Sequence, residues 1–118
     1  MASPRRIEQV ENLLREVIAE IVARDVPFAE GTLVTITRVE TSDDLYYGRV
    51  FVSILAPSQD AESTAFAELM KSTSAIQHAL NRKLRMRPVP RITFAIDEQE
   101  KRRERIEKLL ADGERETR

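Results

Sequence analysis

Apolar residues recur at three- and four-residue spacing through the first part of the chain: Ile7, Val10, Leu14, Val17, Ile18 and Ile21. That stripe predicts a helix over residues 4–24 with one buried face. Ser3 suits the N-cap and Pro4 the first helical position. The helix is expected to stop before Pro27, because a residue preceding proline is pushed out of helical geometry. Gly31 marks a turn.

The period then changes to two. Leu33 to Glu40 is rich in β-branched residues and predicts a strand, with Val34 and Ile36 on one face and Thr35 and Thr37 on the other. Val39 breaks this parity, and a bulge near Arg38 would return it to the core side. Thr41–Asp44 reads as a turn. A second strand is expected over Leu45–Leu55, with Val50, Val52 and Ile54 facing one way and Arg49, Phe51 and Ser53 the other. The short polar link predicts an antiparallel hairpin.

After a loop over Ala56–Asp60, a helical pattern runs from residue 61 to about 86 through Ala65, Phe66, Leu69, Met70, Ile76, Ala79, Leu80 and Leu84. Ser72, Thr73 and Ser74 interrupt it, since hydroxyl side chains can bond to backbone carbonyls and bend a helix. Pro88 and Pro90 force the chain out of helix and into a third strand, expected over Val89–Ile96. A charged helix with a short apolar edge at Ile106, Leu109 and Leu110 is expected over Glu98–Ala111, followed by a frayed tail over Asp112–Arg118. One three-stranded sheet with helices on one face would bury these apolar stripes, an α+β arrangement.

Composition changes the picture in two respects. Among 118 residues there is no cysteine and one histidine, His78, which excludes disulfides, thiolate chemistry and a multi-histidine metal site. No apolar run reaches the ~18 residues a membrane span needs, and the amino end lacks a signal-peptide pattern, so the cytoplasm is the expected location. Asp43 and Asp44 read as turn residues, not ion ligands, and Ser53 lacks a nucleophile context. No cofactor, metal site or catalytic constellation is expected.

Charge is more informative. The formal net charge is -1, yet no Asp or Glu occurs between Glu68 and Asp97, a window that holds Lys71, Arg82, Lys83, Arg85, Arg87 and Arg91. A concentrated basic field attracts polyanions, nucleic acid first among them. Arg82, Lys83 and Arg85 are expected to end a helix, where cations suit its dipole; that does not account for Arg87 and Arg91, for which arginine forks on phosphate are the simpler explanation. Two readings stand for Lys71, Ser72, Thr73, Ser74 and Gln77: a contact to RNA phosphate or ribose, or a plain helix bend. Arg5 and Arg6 read as a second phosphate contact or as a frayed basic terminus. Tyr46 and Tyr47 read as half-buried sheet surface before a base-stacking platform, and Phe28, Phe51, Phe66 and Phe94 as core.

Three segments carry a resemblance to a known family. Leu33–Leu45 is similar to a V-T-x-x-x-V-E-x-S-x-D-L signature, Val50–Leu55 to V-x-V-S-x-L, and Ile76–Phe94 to I-R-x-x-L-x-x-x-L-R-x-R-x-x-P-x-L-x-F. Arg6, Ile7 and Leu14 suit the opening helix of the same family. Over about residues 5–97 the chain resembles ribosome-binding factor A, a bacterial small-subunit maturation factor. The resemblance implies a KH-like fold of type II topology without a G-x-x-G loop. The family replaces that loop by a kink, commonly Ala-x-Gly, which here is Ser72-Thr73-Ser74. It implies a KH-like RNA-binding domain over 1–97, with 98–118 as a charged C-terminal helix and tail outside the shared motifs.

The function it implies is assembly, not catalysis: binding the immature small (30S) ribosomal subunit through 16S rRNA and assisting late maturation and rRNA end processing. A maturation GTPase acting on the same particle is an expected partner, a membrane is not, and the free factor is expected to be a monomer. Two rival readings are a generic KH-like RNA-binding module and a small protein-interaction or dimerisation domain using an open sheet edge or the terminal helix.

Overall fold

The computed structural model describes residues 2–116. Its elements follow the order α1 (Pro4–Asp25), β1 (Leu33–Thr41), β2 (Tyr47–Leu55), α2 (Gln59–Lys71), α3 (Thr73–Lys83), β3 (Arg91–Ile96) and α4 (Glu98–Glu116). This is the α+β, KH-like arrangement. β2 is central, antiparallel to β1 and parallel to β3.

α1 starts where the Ser3 hydroxyl accepts the Arg6 amide at 3.2 Å, and it ends as Val26, ahead of Pro27, turns extended. Its stripe buries Val10, Leu14, Val17, Ile18, Ile21 and Val22. These residues meet Ile36 and Val39 of β1, Val50, Val52 and Ile54 of β2, Ile92 and Phe94 of β3, and Ala65, Leu69, Ile76 and Leu80 of α2 and α3 in a single core. Truncating a fully buried member such as Leu14 or Leu80 to Ala is expected to cost about 2–5 kcal/mol. The core lies wholly on one side of the sheet.

The expected bulge is present. Ile36 pairs with Val52 but Arg38 pairs with Phe51, so Thr37 is the extra residue and Val39 returns to the core opposite Val50. The helix break also falls where the hydroxyl run predicts it. Ser72 (φ -88°, ψ -3°) separates α2 from α3, and the Thr73 hydroxyl donates to the Leu69 carbonyl at 3.2 Å.

Several boundaries differ from the sequence reading. β2 begins at Tyr47, not Leu45, because Leu45 turns through a left-handed conformation (φ 61°). The paired helical region is Gln59–Lys83, not 61–86, so Arg85 lies beyond the helix end instead of in its last turn. β3 starts at Arg91, past the proline pair, not at Val89. α4 continues to Glu116, where fraying was expected from Asp112; its charge pattern supports helix further than the apolar edge suggested, and residues 117–118 of the expected tail lie outside the described residues. Ile106, Leu109 and Leu110 stay exposed on α4, and Met70 stays exposed on α2, so not every apolar stripe is buried. Phe51 also departs from the core reading. Its side chain lies on the sheet face away from the helices, with the Arg38 guanidinium 3.7 Å above its ring.

Candidate nucleic-acid interface

The acid-free window folds into two surfaces. On the helix side, Ser74, His78 and Arg82 are exposed at four-residue spacing along α3, with Lys71 exposed at the end of α2. Such spacing places side chains on one helix face. Arg85 is exposed just past the helix end. Among the described residues, neither the Arg82 nor the Arg85 side chain has an ion pair or hydrogen bond. The first turn of α3 contains no acid and has no side-chain cap. Lys71 stands at the head of this helix, where the carbonyl end of α2 meets it through Ser72.

The fold brings a distant part of the chain to this surface. Arg6, Gln9, Val10 and Leu13 of α1 line a depression of about 400 Å³ together with Lys83, Leu84, Arg85 and Met86. Arg6 and Arg85 thus share one groove although 79 positions separate them. Arg5 is exposed in the first turn of α1, outside this lining. Lys83 is engaged: its ammonium donates to Glu20 Oε2 at 2.7 Å and ties α3 to α1. That bond holds the Glu20 carboxyl below its usual range. Arg82 sits beside Arg24 in a neighbouring shallow hollow, and Arg24 is forked onto Asp25.

Other members of the predicted set are committed to the fold. The Arg87 guanidinium folds back onto the main chain, donating to the carbonyls of Leu84 at 2.8 Å and Met86 at 2.7 Å. It also reaches the Asn81 carbonyl in the last turn of α3 at 3.4 Å, so it pins the segment that follows the helix to the helix end. The Gln77 side chain bridges α3 to β3. Its amide nitrogen donates to the Pro90 carbonyl at 3.1 Å and its oxygen accepts the Ile92 amide at 2.8 Å. Thr73 spends its hydroxyl on Leu69, as above. Ser72 is half-buried at the break, and Ser74 alone of the hydroxyl run is exposed.

Arg91 lies elsewhere. Ile92 and Phe94 enter the core, so Arg91 and Thr93 face the opposite side of the sheet. There Arg91 lines a shallow hollow with Tyr47, Gly48, Arg49, Thr93 and residues 40–42. The tyrosines differ from the half-buried expectation, since Tyr46 is 54% and Tyr47 62% exposed. Sequence parity places Arg91 on that face once β3 is known to be a strand, but nothing local says which strand it borders.

Two polar anchors have no sequence signal. Glu11 Oε2 accepts the Thr41 amide at 2.7 Å, fixing α1 to the end of β1. Asp97, 4% exposed, gathers the Thr37 hydroxyl, the Glu100 amide and the Arg38 guanidinium. Burial alone would raise its pKa, but those three partners outweigh it and hold the carboxyl below its usual range. Among the described residues no cluster of metal-ligating side chains occurs, and no helix is long and apolar enough to cross a membrane. The arrangement suits an extended polyanion better than a small substrate.

Comparison with known proteins agrees in sequence and in structure. Residues 6–110 match the family model described as ribosome-binding factor A. A ribosome-binding factor A from Akkermansia muciniphila is 38% identical over 111 residues, covering 92% of this chain and 84% of its own. The crystal structure of ribosome-binding factor A from Thermus thermophilus superposes with a TM-score of 0.61 at 27% identity, covering 76% of this chain and 93% of that one. A homology model of the Thermus thermophilus factor, fitted into a cryo-EM map of its complex with the 30S subunit, gives 0.56 at 27% identity, covering 74% and 90%.

Proposed function

Because the chain belongs to the ribosome-binding factor A family, we propose that it binds the immature small ribosomal subunit through 16S rRNA and acts there by occupancy, without catalysis. The observation that carries this reading is the helix-side surface. Arg6 of α1 and Arg85 beyond α3 share one groove, Lys71 and Arg82 are exposed along α2 and α3, and neither Arg82 nor Arg85 has an acid paired to it among the described residues. Unpaired arginine forks suit phosphate oxygens of a folded RNA. Recognition of this kind reads backbone and shape more than base sequence.

Held on the particle, the factor would stabilise a local rRNA conformation and block premature use of the subunit while late maturation and end processing proceed. A maturation GTPase on the same particle is the partner that fits its removal. A monomer in the cytoplasm is the form consistent with this role. The 30S complex of the Thermus thermophilus factor supports the partner assignment.

Co-sedimentation with purified small subunits and with whole ribosomes tests the proposal. The protein is expected to travel with free small subunits and to avoid whole ribosomes. Preference for free single-stranded RNA over either particle would favour a generic RNA-binding module. Self-association with no RNA affinity would favour an interaction domain.

A further inference from the structure

We propose a second RNA contact on the face of the sheet opposite α1, α2 and α3, where Tyr47 stacks on an unpaired base and Arg49 and Arg91 hold the adjoining phosphates. It rests on the RNA-binding reading above and adds a surface to it.

The two rings stand at the entry to β2, and both are mostly exposed. Their backbone is fixed by a dense set of bonds. The Ser42 hydroxyl accepts the Tyr47 amide at 3.0 Å and donates to Asp44 Oδ1 at 2.6 Å; Asp44 Oδ1 in turn accepts the Tyr46 amide at 3.0 Å. The Arg91 amide donates to the Tyr46 carbonyl at 2.8 Å, clamping the start of β3 beside the rings. An exposed aromatic ring on an ordered backbone loses little conformational freedom when a base stacks on it.

The arginines are placed by register. Tyr47 pairs with Arg91 and Arg49 with Thr93, and all four project from the same face. Tyr47 and Arg91 are therefore about 5 Å apart across the strands, with Arg49 about 7 Å along β2 from Tyr47. Among the described residues neither arginine has an ion pair. Two nearby acids are engaged: Glu40, the cross-strand neighbour of Arg49, is bonded to Arg38, and Asp44 holds the turn, where Asp43 is exposed. Aromatic faces interleaved with cations fit single-stranded RNA, because each ring accepts any base and each guanidinium accepts a phosphate. The opposed helix-side cations would then leave this protein touching RNA on two sides.

The chain contains two tyrosines and no tryptophan, so in a Tyr46→Phe background the intrinsic tyrosine emission comes wholly from Tyr47. Titrating the protein with a short oligouridylate, followed by that emission and by anisotropy of a labelled copy, tests the proposal. Expected are quenching of the emission on binding and loss of affinity of about fivefold or more in Tyr47→Ala. Tyr47→Phe should retain affinity, and Arg82→Gln/Arg85→Gln should leave the quenching in place. Oligouridylate binding without quenching, and unaffected by Tyr47→Ala, would overturn the sheet-face contact while the helix-side reading stands. If Tyr47→Ala binds oligouridylate normally but loses small subunits, the face meets protein, which also overturns it. Failure of the wild type to bind subunits as well as oligouridylate would bring down the underlying function.

Discussion

The Thr37 hydroxyl donates to Oδ2 of Asp97 at 2.6 Å, joining the extra residue of the β1 bulge to the residue that opens α4. Asp97 is almost fully buried and also accepts the Glu100 amide at 3.1 Å. A buried carboxylate that loses one donor bears the cost of partial desolvation. Thr37→Val should therefore lower stability by about 1–3 kcal/mol in urea unfolding, with the sheet intact by circular dichroism. A loss within the error of the wild-type value would show that the bulge hydroxyl is dispensable.

The same carboxyl predicts an acid limb. Its folded pKa is depressed, so its stabilising effect is fully present above the ordinary carboxylate range and is lost as pH falls through the lower folded value. Stability should drop below about pH 4, and Asp97→Asn should flatten that drop while costing stability near neutrality. Glu20, Asp25 and Asp44 are also depressed and exposed, so part of the limb should survive in the variant. Urea midpoints for both proteins across the acid range make the comparison. An unchanged slope in Asp97→Asn would assign the limb to the exposed acids alone.

The bulge was legible because Val39 broke the alternation of its strand, and a core-facing valine can be restored only by an added residue. The helix break was legible for a similar reason: three hydroxyl residues in a row compete with the helical ladder. Gln77 was not legible in the same way. Its spacing on α3 gives no hint that its amide satisfies Pro90 and Ile92, since that pairing depends on β3 returning parallel to β2. Arg91 was grouped with Arg82 by sequence proximity, yet strand parity sends it to the other side of the sheet. The basic window thus identified the charge but not its division between two faces. The family motifs gave the topology more directly than the charge did.

That division separates roles that look equivalent in sequence. Arg82→Gln/Arg85→Gln removes two unpaired cations and should weaken small-subunit binding about tenfold or more, with the unfolding midpoint unchanged. Arg87→Ala removes the bonds to the Leu84 and Met86 carbonyls in the segment after α3 and should instead cost about 1 kcal/mol of stability. Sedimentation and urea unfolding on both variants give the readouts. Reversed outcomes would exchange the two assignments.

Salt dependence counts the phosphate contacts. Four exposed cations on the helix side, Arg6, Lys71, Arg82 and Arg85, contribute about -3 to -4 to the slope of log affinity against log salt, and Arg49 and Arg91 on the sheet face steepen it further. Arg82→Gln/Arg85→Gln should reduce its magnitude by about 1.5 to 2. A flat wild-type response would argue against phosphate contacts altogether.

Truncation within α4 tests whether residues 1–97 form an independent domain. The described contacts of α4 concentrate at its start, where the Glu100 amide bonds the Asp97 side chain and the Lys101 amide bonds its carbonyl. Farther along, the Glu104 carboxylate reaches the Ser53 hydroxyl at 3.4 Å, while Ile106, Leu109 and Leu110 remain exposed. A chain ending at Arg103 keeps the first set and loses the rest. Its stability should stay within about 1 kcal/mol of the full chain, since exposed apolar residues add little to folding. A chain ending at Asp97 also loses the two amide bonds and should fall further, by about 1–3 kcal/mol. Equal stability for both truncations would mean that Asp97 is satisfied without α4. A large loss already at Arg103 would make α4 an integral part of the fold and move the boundary past residue 97.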